Sequence, residues 1–389
     1  MVSDRPAWVE VDLDAVAANV RTLAAVAGPA QLCAVVKADG YGHGAVAVAR
    51  SALAAGASWL GVAMVGEAQV LRAAGIAAPI LVLSEPSPPE LDDVAALSLR
   101  PSLYTHAGIE GMAKAVARAG RDPVGVHLKV DTGMHRVGGP PEQMVALAHD
   151  VVERPELFLE AVWTHCATAD EPDNPFTEVQ AARFEAVLAQ LASAGIRAPL
   201  VHAANSAATL DHPRLRHDLV RCGIAVYGLD PRPGSGGRGP VLRPALSLKA
   251  RVTLVKVVAA GEAVSYGQRH RFGTDSLVAT VPLGYADGVA RRLSEVGGEV
   301  LVGGRRRPIV GTITMDQLLV DCGPAPGAAG SGAAAPAAAV QAGDEVVLIG
   351  EQDGQRISVE EWAARLGTIT YEVVCAISSR VPRRYLGGS

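Results

Sequence analysis

Lys37 is the residue around which chemistry is easiest to build. It follows an apolar run and opens a glycine-rich turn in Val35–Gly44, VVKADGYGHG. Lysine is seldom buried without a partner. An amine at such a strand end either reaches solvent or sits in a desolvated pocket. In a pocket it gives up its proton more readily and can form a Schiff base with a carbonyl carbon. His165 and Cys166 in WTHC set two metal-ligating types side by side. Adjacent residues with no further ligand spacing make no metal site, so none is expected. Ser206 follows Asn205 in HAANS, where it reads as a helix cap as readily as a ligand contact. Arg221, in VRCG, taken alone is a surface ion-pairing arginine.

These residues must be held by the elements between them. Eight short apolar runs mark candidate strands at 32–37, 59–63, 79–83, 99–103, 124–130, 157–164, 199–202 and 219–222. They are rich in Val, Leu and Ile throughout, as parallel strands buried on both faces are. Helical patterns lie between them at 45–55, 66–74, 89–97, 108–119, 141–153 and 176–194, with another at 12–27. Eight βα units fit a closed (β/α)8 TIM-type barrel. A doubly wound open sheet is the alternative. In a barrel, function gathers where strands end, and Lys37 ends the first of these runs.

At 231–240 the pattern breaks into PRPGSGGRGP, a linker that lacks the GK[ST] ending of a phosphate loop. Beyond it the period changes. Runs at 252–258, 263–266, 276–281, 299–302, 309–313, 317–321 and 345–349, separated by turn residues, predict a mainly β domain. The expected division is therefore 1–240, an α/β barrel, and 241–389, mainly β. Gly323–Ala342 is rich in Ala, Gly and Pro and is expected to be an inserted loop. Ser358 and Glu361 have capping-box spacing, and a further helix is expected over 369–378. There is no internal repeat.

Composition narrows the function classes. The chain has 389 residues, 49% of them hydrophobic, and a formal net charge of −5. That suffices for a sizeable core and excludes a disordered tail protein. There is no basic stripe for nucleic acid and no apolar run long enough to span a membrane. The N-terminus carries no apolar segment of signal-peptide length. Five scattered cysteines without CxxC spacing suggest neither zinc nor a disulfide framework. A cytoplasmic enzyme is the expectation.

The string VVKADGYGHG resembles the pyridoxal-phosphate signature of alanine racemases, among the barrel-fold enzymes that use this cofactor. The resemblance continues through VDTGMHR (130–136), WTHC (163–166), HAANS (202–206), VRCGIAVYG (220–228), SYG (265–267), GYADG (284–288), MDQ (315–317), YEVVC (371–375) and RVPR (380–383). Each string is short, but together and in this order they cover nearly the whole chain.

The resemblance implies that Lys37 holds pyridoxal 5'-phosphate (PLP). Tyr41, Asn205, Ser206, the backbone of Gly223 and Ile224, and Tyr371 would take its phosphate. Arg221 would face the pyridine nitrogen, where many such enzymes use a carboxylate, so side transamination would be suppressed. Racemisation needs a base on each face of the substrate. Lys37 would be one and Tyr266 the other, supplied by the partner subunit of a homodimer. A free phenol titrates near 10, so Tyr266 needs cationic surroundings, supplied through His165 and Arg221. Arg136 would bind the substrate carboxylate, and Lys129 would be carbamylated to orient it; an unmodified Lys129 paired with Asp131 is the alternative.

Met315 and Tyr285 would contribute around the substrate from the other subunit, and Arg291 and Asp173 would line the entrance more loosely. Asp316 reads equally as a turn residue. Two departures stand out. Thr312 and Thr314 occupy positions where many relatives carry Arg and Cys, which bears on the entrance charge and not on the chemistry. The implied activity is interconversion of L- and D-alanine, supplying D-alanine for peptidoglycan. The alternatives are a broader racemase acting on serine, lysine or arginine, a basic amino-acid decarboxylase, a Schiff-base aldolase and a non-catalytic PLP carrier.

Overall fold

The computed structural model describes residues 5–232, 239–327 and 340–388. Most of the expected linker at 231–240, and residues 328–339 of the expected loop Gly323–Ala342, lie outside the described residues. The chain falls into two compact units, one of Leu13–Pro244, the other joining the residues up to Asp12 to those from Ala245 onward.

The first strand, β1 (Ala7–Asp12), corrects the sequence reading, which placed it with the barrel. It pairs antiparallel with β10 (Leu246–Arg251) and parallel with β20 (Arg383–Leu386). The segment AWVEVD is too short for its period to show which sheet it joins. The register decides, with Val9 opposite Leu248 and Val11 opposite Leu246.

The larger unit contains eight parallel strands: β2 (Gln31–Val35), β3 (Trp59–Val62), β4 (Ile80–Val82), β5 (Arg100–Leu103), β6 (Val124–Lys129), β7 (Leu157–Trp163), β8 (Leu200–His202) and β9 (Leu219–Cys222). Their order is β8-β7-β6-β5-β4-β3-β2-β9. Asp218 N donating to Val201 O at 3.0 Å and Arg221 N to Ala204 O at 2.9 Å link β8 and β9 across the remaining seam. This is the expected barrel, nearly closed. Each strand is followed by helical structure, which covers apolar backbone ladders that water would otherwise compete for. The helix Leu13–Ala27 buries Leu13, Val16, Val20, Leu23 and Ala27 on one stripe of helical spacing. Asn19 on the same stripe is buried but satisfied: its side chain bonds Val226 O, Arg243 O and Arg243 N.

The smaller unit is mainly β, as expected. Its remaining strands are β11 (Leu254–Val258), β12 (Ala263–Val264), β13 (His270–Arg271), β14 (Ser276–Val281), β15 (Glu299–Val302), β16 (Arg305–Val310), β17 (Leu318–Pro324), β18 (Glu345–Gln352) and β19 (Gln355–Ile357). Alternating burial along β10 and β17 gives each strand one wet face. Ser358 caps the helix Val359–Leu366 by accepting from Glu361 N at 3.1 Å. The Glu361 carboxylate does not complete a capping box; it is taken by Arg306 and Arg365. No helix among the described residues is long and apolar enough to cross a membrane.

Candidate functional site

The barrel gathers the expected residues at the C-terminal ends of its strands. Lys37 follows β2, Lys129 ends β6, His165 follows β7, Asn205 and Ser206 follow β8, and Arg221 and Gly223 lie in and after β9. This is the end at which barrels place their chemistry.

β2 ends at Val35, two residues before Lys37. The chain then makes a left-handed helical turn, with φ of 53° at Ala38, 50° at Asp39, 62° at Gly40 and 52° at Tyr41. For three non-glycine residues this costs roughly 1–2 kcal/mol each. Local bonds hold the turn against that cost. Ala38 N donates to Glu67 Oε1 at 2.6 Å and Ala45 N to Asp39 Oδ1 at 2.8 Å. Glu67 Oε2 also accepts from Ala63 N at 2.8 Å and Met64 N at 3.2 Å. One carboxylate therefore ties the residue after Lys37 to the end of β3. The turn brings Tyr41 Oη beside Gly223, where an added Cβ would lie 2.4 Å from it. Ser206 Oγ accepts from Gly223 N at 2.9 Å and Ala225 N at 3.5 Å. Asn205 instead caps the short helix Ser206–Asp211 through Ala208 N at 3.0 Å.

Arg221 is the electrostatic centre of this end. It is buried, with 3% of its surface exposed, and no carboxylate among the described residues contacts it. Nη1 bonds His202 Nδ1 at 2.7 Å; Nη2 reaches Thr164 O at 2.9 Å, Ala203 O at 3.0 Å and His165 Nδ1 at 3.2 Å. Its guanidinium lies over Trp163, 4.4 Å from the ring centroid. Burial pushes it down to about 10, so it stays cationic at neutral pH. The neighbouring Cys33, Cys166 and Cys222 are buried, which pushes their thiols up and leaves them inert.

Lys129 is also buried and lies over the same Trp163, 4.3 Å from its centroid. Burial chiefly, then Arg221 and Arg136, lowers its amine to about 7. Asp131 does not close an ion pair with it. Its carboxylate accepts instead from Gly133 N at 2.9 Å and His135 N at 3.1 Å. His165 is held well below the usual imidazole range by burial, then by Arg221, Lys129, Arg136 and Lys37. Gln180 anchors its carbonyl at 3.0 Å while accepting from Ala167 N at 2.7 Å. Four cations thus share one end of the barrel, opposed by Asp131. A phosphate and a substrate carboxylate fit such a site. Arg136 and Asp173 are both exposed.

The smaller unit presents the other expected residues, and its loops bring three of them into one cluster. Thr312 Oγ1 donates to Tyr266 O at 2.8 Å, and Ser265 Oγ to Thr312 O at 2.5 Å. Tyr285 N bonds Thr314 O and Ala286 N bonds Met315 O, both at 3.0 Å. A Cβ on Gly284 would fall 2.3 Å from Thr314 O, so only glycine allows this approach. Tyr266, Met315 and Tyr285 are left 74%, 52% and 43% exposed on a single chain. Asp316 pairs with Arg380 at 2.6 Å, a structural role. Tyr371 is half-buried in the helix Thr370–Cys375, and Arg291 is exposed.

Sequence reasoning did not single out His202, Trp163, Glu67 or Gln180. His202 and Trp163 stand in the quoted strings, so those strings were the available signal. Glu67 and Gln180 carry none.

The model of the alanine racemase N-terminal domain matches residues 11–231, and that of the C-terminal domain matches 245–385. An alanine racemase of Symbiobacterium thermophilum is 48% identical over 387 residues, covering 98% of each chain. The crystal structure of alanine racemase from Bacillus anthracis with bound L-Ala-P has a TM-score of 0.89 at 39% identity, covering 100% of this chain and 97% of its own. That of alanine racemase from E. faecalis has a TM-score of 0.90 at 37% identity, covering 99% and 100%. Both domain models fall in order and the relatives match from end to end, so the chain belongs to the alanine racemase family and is an amino-acid racemase.

Proposed function

We propose that the protein interconverts L- and D-alanine in a homodimer, with PLP on Lys37 and two opposed bases, Lys37 and Tyr266 of the partner subunit. The observation that carries this reading is the buried Arg221, which meets no carboxylate among the described residues and is joined to His165 at the strand ends that also carry Lys37, Ser206 and Gly223.

The donor chemistry fits the cofactor. Tyr41, Ser206 and the amides at 223–225 would hold its phosphate, with Asn205 capping that turn and Tyr371 supplied by the smaller unit. Arg221 would face its ring nitrogen. PLP, when bound, supplies the electron sink that makes the α-proton of an amino acid removable. Because Arg221 remains a cationic donor, it would keep the ring nitrogen from acquiring a full proton, which would favour return of the α-proton over transamination.

Arg136 binds the substrate carboxylate with its planar fork, and a carbamate on Lys129 orients it. That Lys129 is buried, half-neutral and unpaired with Asp131 supports the carbamate. Lys37 Nζ moves the proton on one face of Cα and Tyr266 Oη of the partner subunit moves it on the other. Arg221 is donor-only, so His165 Nδ1 must accept, and its proton sits on Nε2. That N–H can hold the phenolate oxygen of the second base. The exposure of Tyr266, Tyr285 and Met315 on one chain supports their use by a second copy. In this reading the barrel domain binds the cofactor and the β domain completes the partner's site. The enzyme supplies D-alanine for peptidoglycan and works in the cytoplasm, where its free thiols stay reduced.

The test is to incubate PLP-loaded protein with L-alanine, and separately with D-alanine, and resolve the enantiomers by chiral chromatography. Convergence of both on a near-equal mixture is expected. No interconversion by protein whose Lys37 is reducibly bound to PLP overturns the reading.

A further inference from the structure

Arg221 does not end at His202. His202 Nε2 lies 3.0 Å from His127 Nδ1, and His127 Nε2 lies 3.2 Å from Glu160 Oε2. Glu160 in turn meets Arg100 Nε at 2.7 Å. The five residues come from β9, β8, β6, β7 and β5. Arg100 opens its strand and His202 closes its own, so the chain of contacts descends through the barrel away from the site. Both histidines are fully buried, and Glu160 is 15% exposed.

The two ends fix the direction of every bond between them. A guanidinium only donates and a carboxylate only accepts. Arg221 donates to His202 Nδ1, so His202 carries its proton on Nε2 and donates to His127 Nδ1. His127 then carries its own proton on Nε2 and donates to Glu160. Any other tautomer faces two donors or two lone pairs at some step, and both rings are fully buried, where such a mismatch is costly. Rings clamp the line. His202 stacks on Trp163 with centroids 5.2 Å apart and 13° between planes, and His127 packs against Trp59 at 5.3 Å. Burial favours neutral imidazoles at both positions; Arg221, His127, His217 and Lys129 add to this at His202, and Arg100 and Arg221 at His127, where Glu160 alone opposes it.

Resting on the racemase reading above, we infer that Glu160 is a positioning residue for the reaction. Through His127 and His202, both as neutral Nε2–H tautomers, it polarises the acceptor that holds Arg221 Nη1. This fixes the plane of the guanidinium that would face the cofactor's ring nitrogen. The carboxylate that many PLP enzymes place at that nitrogen lies here three hydrogen bonds beyond a donor-only arginine. The site thus gains the orientation an acid would give without protonating the ring.

The test uses the PLP-loaded enzyme labelled with 15N-histidine, alongside Glu160→Gln and His127→Phe. The glutamine can still accept from His127 through its amide oxygen, and the phenyl ring keeps the packing against Trp59. The wild type should show both histidines as neutral Nε2–H tautomers from pH 6 to 8. Each variant should keep its PLP and its KM for alanine within about twofold, shift the His202 nitrogens, and lose on the order of tenfold in kcat, the worth of weakening one charge-assisted bond. An Nδ1–H tautomer or a cationic ring at either position overturns the inference. So does Glu160→Gln with unchanged kcat, or with KM and PLP loading lost in step with kcat. A wild type that turns over no alanine overturns the racemase reading instead, and the relay then stands or falls on the tautomers alone.

Discussion

Lys129 offers a prediction whose size follows from the structure. An ordinary lysine amine titrates at 10.5; burial and the surrounding cations bring this one to about 7. At pH 7 about half of Lys129 is then the free amine, about a thousandfold more than in an exposed lysine. Only the free amine attacks carbon dioxide. The new N–C bond gives a carbamate as one of the two C–O π bonds opens and one proton leaves the amine for solvent, so a neutral buried amine becomes an anion near Arg136 and Arg221.

The same shift has a stability sign. The unfolded state binds more protons at Lys129 than the folded state between pH 7 and 10.5. The unmodified amine therefore opposes folding, by about 5 kcal/mol in full below pH 7, and the cost fades as pH rises toward 10.5. Carbamylation removes it. The assay is carbon-13 NMR of protein equilibrated with labelled bicarbonate, paired with thermal unfolding. A single protein-bound carbamate should appear in the wild type with a midpoint near pH 7, be absent from Lys129→Gln, and raise the melting temperature of the wild type alone. No bound carbon between pH 7 and 8.5, or an equal signal in Lys129→Gln, would refute the reasoning.

Tyr266→Phe should leave PLP loading intact while slowing exchange of the α-proton of L-alanine by two or more orders of magnitude, the usual worth of a positioned base; equal loss of loading and exchange contradicts its role. Mixing inactive Lys37→Ala and Tyr266→Phe subunits in equal amounts should recover about a quarter of wild-type activity, since half the dimers carry one intact shared site of two; no recovery in proven mixed dimers counts against sharing. Thr312→Val removes the hydroxyl that anchors Tyr266 O and should lower kcat several-fold with PLP absorbance unchanged, whereas Thr312→Ser should retain activity. Glu67→Gln deprives the left-handed turn or the end of β3 of an acceptor, costing about 1–3 kcal/mol, to be read as earlier thermal unfolding and faster PLP loss; unchanged values would show that the turn holds without it.

Elements whose signal is local were legible in the amino-acid order. All eight barrel strands lie where short Val, Leu and Ile runs predicted them, because burial on both faces demands apolar residues throughout. The short motifs, taken together and in order, pointed to the family. Tertiary structure decided what depends on register and on neighbours in space. β1 joins the other unit through its pairing with Leu246–Arg251, which no property of AWVEVD reveals. The turn after Lys37 is left-handed through Ala38, Asp39 and Tyr41 as well as glycine, held by a carboxylate on the helix that follows β3. His127, Glu160 and Arg100 belong to strands remote in sequence from Arg221 and read one by one as unremarkable polar residues. They become one line of polar contacts because strands distant in the chain share the interior of a nearly closed sheet, where a buried polar group must find its partner in another strand.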